Sequence, residues 1–149
     1  MRFLLVDRIA EFEPHVRIAG WKNAAMSEDY LEWHFPGRPI VPGNLILEAC
    51  AQLAGWLEAV STDFEQWFLL DQVASARYYA FAVPGDRIDL TLERVPDEDE
   101  TRRVYRAESR VGDKRGSAIE FSGVLVPMER LEDRDAARQT WQILRGETA

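Results

Sequence analysis

Between Trp33 and Leu57 the chain sets a histidine, a glutamate, a glutamine and an asparagine among residues that are otherwise apolar or conformationally special. Asn44, Glu48 and Gln52 recur at i, i+4 and i+8, so on a helix they line up along one face. The positions around them are Leu, Ile, Ala, Cys, Gly and Trp, which predicts a helix apolar on every side and a buried polar line. A carboxyl in such surroundings is driven towards its protonated, proton-donating form. His34 supplies a base suited to neutral pH. The helix start at Gly43 offers unpartnered N–H groups and the positive end of the dipole, and a glycine there lets a carbonyl approach closely. His34 as base, Glu48 as acid and the Gly43 N–H as oxyanion donor make one proton-transfer set. Gln52 would orient Glu48 from one turn below.

The elements that position this set can be read around it. His34 to Gly43 holds three prolines and two glycines, which excludes helix and central strand and predicts a shaped loop. Pro42 stands where a helix begins, and residues 45 to 57 read as that helix. Upstream, Phe3, Leu4, Leu5, Val6, Ile9 and Phe12 fit a short helix or a strand equally. Val16 to Trp21, with His15 beside it, alternates as an exposed strand, and Ser27 could cap one helical turn.

Downstream, Phe64 to Phe81 is rich in aromatic and β-branched residues and predicts one long strand or a bent pair. Pro84-Gly85-Asp86 signals a turn. Ile88, Leu90 and Leu92 alternate with polar residues, and Pro96 to Glu100 is a charged loop. Arg102, Arg106 and Arg110 share one face of the next strand. Gly112 to Gly116 reads as a hairpin turn, and Ile119, Phe121 and Leu125 as the inward face of a last strand. One helix followed by about four antiparallel strands is an α+β pattern. The main domain covers residues 1–127; residues 128–149 form an extension in which Ala137, Trp141 and Leu144 lie on one helical face. A single such sheet leaves edges uncovered, and pairing of two chains is the expected remedy.

A chain of 149 residues with 46% apolar residues can bury a sizeable core, and its net charge of −8 gives nucleic-acid binding no electrostatic footing. The one cysteine, Cys50, forms no internal disulfide and suits a reducing compartment. It reads as a small core residue. The apolar run before Asp7 is too short for a signal peptide, and no stretch is long enough for a membrane span, so a cytoplasmic location is expected. Two histidines and one cysteine have no zinc-like spacing; no metal or other cofactor is expected.

The segments His34-Phe-Pro-Gly-Arg-Pro and Pro42-Gly-Asn-Leu-Ile-Leu-Glu48-Ala-Cys-Ala-Gln52 resemble the active-site signature of the beta-hydroxyacyl-(acyl carrier protein) dehydratases of bacterial fatty acid synthesis. Ala76-Arg-Tyr-Tyr-Ala-Phe-Ala-Val-Pro84-Gly-Asp86 resembles the same family's Pro-Gly-Asp turn and the strand before it. The likeness runs from about Leu4 to Val126. It implies a hot-dog fold, a sheet wrapped round a central helix. It also implies dehydration of a (3R)-3-hydroxyacyl thioester on acyl carrier protein to the trans-2-enoyl thioester, with His34 of one subunit and Glu48 of the other meeting in each site. A homodimer is implied, with a trimer of dimers left open. Phe35, Pro42, Asn44, Gln52, Tyr78 and Phe81 are the expected substrate contacts.

The pattern departs from the family in places that bear on the substrate. Trp33 stands where a small residue is usual and Asn44 where an aliphatic one is. Tyr79, Ala80 and Phe81 replace basic residues and a proline. Docking of an acidic carrier onto this acidic chain would then need a local patch, for which Arg102, Arg106 and Arg110, with Lys114 and Arg115, are the candidates. Trp33, Trp56, Tyr78 and Tyr79 read as core or interface, with Tyr78 and Phe81 alternatively lining an acyl tunnel. Two other functions fit the same residues. In a hot-dog thioesterase Glu48 would activate water, and a non-catalytic acyl-binding relative would keep only the fold.

Overall fold

The computed structural model describes residues 3–147. Six strands form one antiparallel sheet: β1 (Arg8–Glu13), β2 (Arg17–Asn23), β3 (Gln66–Tyr78), β4 (Arg87–Val95), β5 (Arg102–Val111) and β6 (Lys114–Pro127). Their order across the sheet is β1-β2-β4-β5-β6-β3, so β1 and β3 are the edges. Two helices complete the fold, α1 (Gly43–Ser61) and α2 (Arg134–Arg145). This is the α+β hot-dog arrangement, with α1 lying in the hollow of the sheet.

Period-two patterning decides which strand residues face α1. Ile88, Leu90 and Leu92 of β4, Tyr105 and Ala107 of β5, and Ile119 and Phe121 of β6 are all buried, in one core with Leu53, Ala54 and Leu57 of α1. Phe68, Tyr105 and Phe121 form an aromatic cluster with centroid separations of 4.9–5.8 Å. The pairing of β3 with β6 is interrupted twice, between Leu70 and Gln72 and between Val73 and Ser75. Such bulges bend a strand, which suits a sheet that must curl round a helix.

Several local expectations change. The ambiguous start becomes β1. His15 sits in the β1–β2 turn rather than in a strand, with φ of 62°, and its N–H donates to the Ser61 hydroxyl. The turn after Ser27 is a short 3-10 segment, Asp29–Glu32, and its cap position is Glu28, which makes no side-chain capping bond; Ser27 is not the cap. Residues 66–78 are one bulged strand, not two. The β5–β6 turn is only Gly112-Asp113, since pairing resumes at Lys114. α1 continues to Ser61, one turn past Leu57, because nothing at 58–61 breaks it.

α2 packs beyond the sheet's β1 edge. Ala137 and Leu144 are buried, and Trp141 meets Phe12 edge to face at 5.4 Å and Trp56 at 6.1 Å. Asp133 caps it by accepting from the Ala136 N–H, and Gly146 ends it in the left-handed region at φ of 71°. Arg145 donates to the carbonyls of Ile9 and Ala10, pinning the helix to β1.

Candidate active site

The Pro-Gly loop is held by its own backbone. The His34 N–H donates to the Tyr30 carbonyl and the Ile40 N–H to the His34 carbonyl, while Phe35 and Arg38 exchange hydrogen bonds across Gly37. Gly37 has φ of 74°, a conformation that favours glycine. The His34–Phe35 peptide is cis. Val41 donates to the Ala82 carbonyl at 2.8 Å, docking the loop on the chain just before the Pro84-Gly85 turn. In that turn the Asp86 carboxylate accepts from the Val83 N–H at 2.9 Å.

Within this frame His34 Nδ1 lies 3.2 Å from the Ile40 carbonyl. A carbonyl only accepts, so Nδ1 carries the proton and Nε2 keeps a lone pair for use as a base. The ring stacks on Phe35 at 4.5 Å. Pro42 is the N-cap of α1, and the Gly43 and Asn44 N–H groups have no acceptor among the described residues. The Tyr78 hydroxyl donates to the Gly43 carbonyl at 2.8 Å, and its ring lies where a Gly43 Cβ would come within 2.8 Å of it. Glycine is needed here for contact with Tyr78.

The polar line is not buried. In the single chain Asn44 and Glu48 are exposed and Gln52 is half-buried, because the sheet covers one side of α1 and leaves this flank open. The expectation that burial would make Glu48 a proton donor is therefore corrected for the isolated chain. Its link to Gln52 is present: the Gln52 amide donates to Glu48 Oε1 at 3.0 Å and to the Phe3 carbonyl at 2.8 Å, and the Gln52 oxygen accepts from the Leu5 N–H. Glu48 and Gln52 open onto a groove of about 410 Å³ lined further along by Trp56, Trp67, Met128 and Leu131. His34 does not line this groove. Neither does Tyr78 or Phe81. Phe81 is 67% exposed, Phe35 is exposed beside His34, and Trp33 is 79% exposed. Trp56, by contrast, is core.

Two groups escaped the sequence reading. Trp67 and Trp56 form the far wall of the groove, and the available signal was that Trp56 continues the i, i+4 series of Glu48 and Gln52. The second is Glu58, 1% exposed, which accepts a hydrogen bond from the Tyr105 hydroxyl and lies 3.9 Å from Arg94 and 3.7 Å from Arg103. Ending the helix at Leu57 hid it.

The arginines proposed for docking share the outer face of β5 but are engaged. Arg102 pairs with Asp71 and reaches the Ser122 hydroxyl, Arg106 pairs with Glu120, and Arg110 donates to the Asp113 carbonyl. Arg38 and Arg77 make no side-chain hydrogen bond or ion pair among the described residues. Burial pushes the Cys50 thiol up to about 12, as a core residue requires. No three histidine, cysteine, aspartate or glutamate side chains among the described residues cluster to hold a metal ion. No helix among them is long and apolar enough to cross a membrane.

Residues 1–121 match the FabA-like domain family. A 3-hydroxyacyl-(acyl-carrier-protein) dehydratase FabZ from Nitratidesulfovibrio vulgaris (strain DSM 19637 / Miyazaki F) is 45% identical over 91 residues. That match covers 59% of this chain and 59% of the relative, less than two thirds of its length. A FabZ of the same name from Anaeromyxobacter sp. (strain K) is 36% identical over 133 residues, covering 86% of this chain and 84% of the relative. Among solved structures, smu.793 from Streptococcus mutans UA159 bound to acetyl CoA superposes with a TM-score of 0.64. It covers 85% of this chain and 94% of that one at 15% identity, a likeness of fold alone.

Proposed function

The chain belongs to the FabA-like domain family, and on that premise we propose that it removes water from a 3-hydroxyacyl thioester on acyl carrier protein to give the trans-2-enoyl thioester. His34 Nε2 takes a proton from C2, and the electrons of that C–H bond move onto the thioester oxygen, which the Gly43 N–H holds. The electrons then return to form the C2–C3 double bond as the C3–O bond breaks. Glu48 delivers the proton that lets the hydroxyl leave as water. Exchange with solvent resets His34 and Glu48.

One observation carries this reading: the bond from His34 Nδ1 to Ile40 leaves Nε2 as the free base, in the loop that leads directly to the unpartnered N–H groups of α1. A homodimer completes the site, with His34 of one chain facing Glu48 of the other. The reading is supported by the free edge of β3 and by the exposed Trp33, Phe35, Tyr78, Tyr79 and Phe81. Pairing there would also cover the open flank of α1 that carries Glu48. Phe35, Pro42, Asn44 and Tyr78 would then contact the substrate across the interface. The carrier docks through Arg102, Arg106 and Arg110; the ion pairs of Arg102 with Asp71 and of Arg106 with Glu120 are to exposed carboxylates, which contribute little and exchange readily. The lone buried thiol suits the cytoplasm.

The test is turnover of 3-hydroxyacyl thioesters, followed as enoyl formation and, separately, as free thiol. Enoyl formation that disappears in Glu48→Gln supports the reading. Thiol release without enoyl product would make the chain a thioesterase, and acyl binding with neither product would make it a binding relative.

A further inference from the structure

The groove that starts at Glu48 changes chemistry along α1. Glu48, Gln52 and Trp56 follow one another on one flank, so about 12 Å of helix separates the first from the last at 1.5 Å per residue. A carboxyl and an amide at one end give way to two indoles, Met128 and Leu131 at the other, with the half-buried Glu132 beside Leu131. The far wall is firmly built. Trp56 and Trp67 meet edge to face at 5.1 Å, and the Trp67 ring lies against Gly55, where a Cβ would come within 2.2 Å of it. Met128 is buried, its N–H donates to the Glu65 carbonyl, and Leu131 closes back on it through a 2.8 Å backbone bond. Leu131 itself is half-exposed at the rim. Met128 and Leu131 lie beyond residue 121, where the match to the domain family ends.

Resting on the proposed dehydration, we infer that this groove holds the acyl tail beyond C3, and that Trp56, Trp67 and the Met128–Leu131 turn stop it, restricting the enzyme to short and medium unbranched chains. The direction follows from the helix. With the thioester oxygen at Gly43 and C3 beside Glu48, the remaining carbons point down α1 towards Trp56. A polar mouth and a far wall built mainly of two indoles, Met128 and Leu131 suit an acyl tail that carries its polar groups at the thioester end.

The test uses the full-length protein, its Trp67→Leu and Leu131→Trp variants, and 3-hydroxyacyl thioesters from butyryl to dodecanoyl. Binding of the matching saturated acyl-pantetheine thioesters is measured by calorimetry in parallel. In the unaltered protein kcat/KM should drop at least tenfold at one step in the series. Trp67→Leu should move that step to longer chains and Leu131→Trp to shorter ones. Leu131 is at the surface, so its variant stays informative if Trp67→Leu fails to fold. Turnover with the same length profile in all three proteins overturns the groove assignment and leaves the reaction standing. Absent turnover with binding that still shifts with length in the variants supports the groove and overturns the reaction. Absence of both overturns both.

Discussion

Gln52 ties Glu48 to the start of the chain: its amide donates to the carboxylate at 3.0 Å and to the Phe3 carbonyl at 2.8 Å, and its oxygen accepts from Leu5. The carboxylate is thus aimed by a side chain that is itself fixed by two backbone groups. Gln52→Leu should lower kcat by roughly 10- to 100-fold, since misplacing a reacting group by an ångström costs on that order. KM should change little, because Gln52 acts by positioning Glu48. Steady-state kinetics that showed a pure KM effect would count against this role.

His34→Ala and Glu48→Gln should each lower turnover by about 10²–10⁴. In the single chain Glu48 is exposed and His34 half-buried, so neither change should cost more than about 0.5 kcal/mol of that chain's own folding stability. Parallel melting curves and rates separate the two effects. A large loss of stability in Glu48→Gln would mean the carboxylate is structural.

Tyr105→Phe leaves the buried Glu58 carboxylate without its hydroxyl donor and should cost about 1–3 kcal/mol. It should also alter the response to alkali. Burial, with Glu58 beside it, raises the Tyr105 hydroxyl well above the ordinary phenol value. The folded chain therefore keeps a proton that the unfolded chain loses above about pH 10, so this contribution is present below that pH and declines as pH rises past it. Tyr30 and Tyr78 are raised in the same direction, again mainly by burial, so the variant should show a shallower alkaline loss of stability rather than none. Urea midpoints measured across that range check it.

Gly55→Ala would place a methyl group 2.2 Å from the Trp67 ring and should destabilise by about 1–3 kcal/mol through overpacking. Adding Trp67→Leu should recover part of that loss, and a double-mutant cycle with no coupling would argue against the contact.

Cys50 is fully buried with its thiol pushed up to about 12. A thiol reagent at mildly alkaline pH should leave the folded protein unlabelled and modify it only after denaturation.

Much of this protein can be read along the chain because its signals are local. Period-two patterning located β4 and the inward residues Ile119 and Phe121, and the Pro-Gly run marked the loop before α1. The i, i+4 spacing predicted the Gln52–Glu48 bond, since residues one turn apart on a helix are neighbours whatever surrounds them. His34, Gly43 and Glu48 in one short stretch point to proton-transfer chemistry by residue type and spacing alone.

Burial depends on what lies opposite, and there local pattern failed. Glu48 sits among apolar neighbours in sequence yet faces outward, because the six-stranded sheet covers only one side of α1. Glu58 reads as an ordinary helix-end glutamate yet is sealed beneath Tyr105, Arg94 and Arg103, which come from strands 36 to 47 positions away. Trp67 and Leu131 become two walls of one groove only after the sheet has curled and the chain beyond β6 has folded back. Residue types and their spacing along a helix or strand set which groups could react; the packing of distant segments decided which of them are dry, which are paired, and which open onto a common cavity.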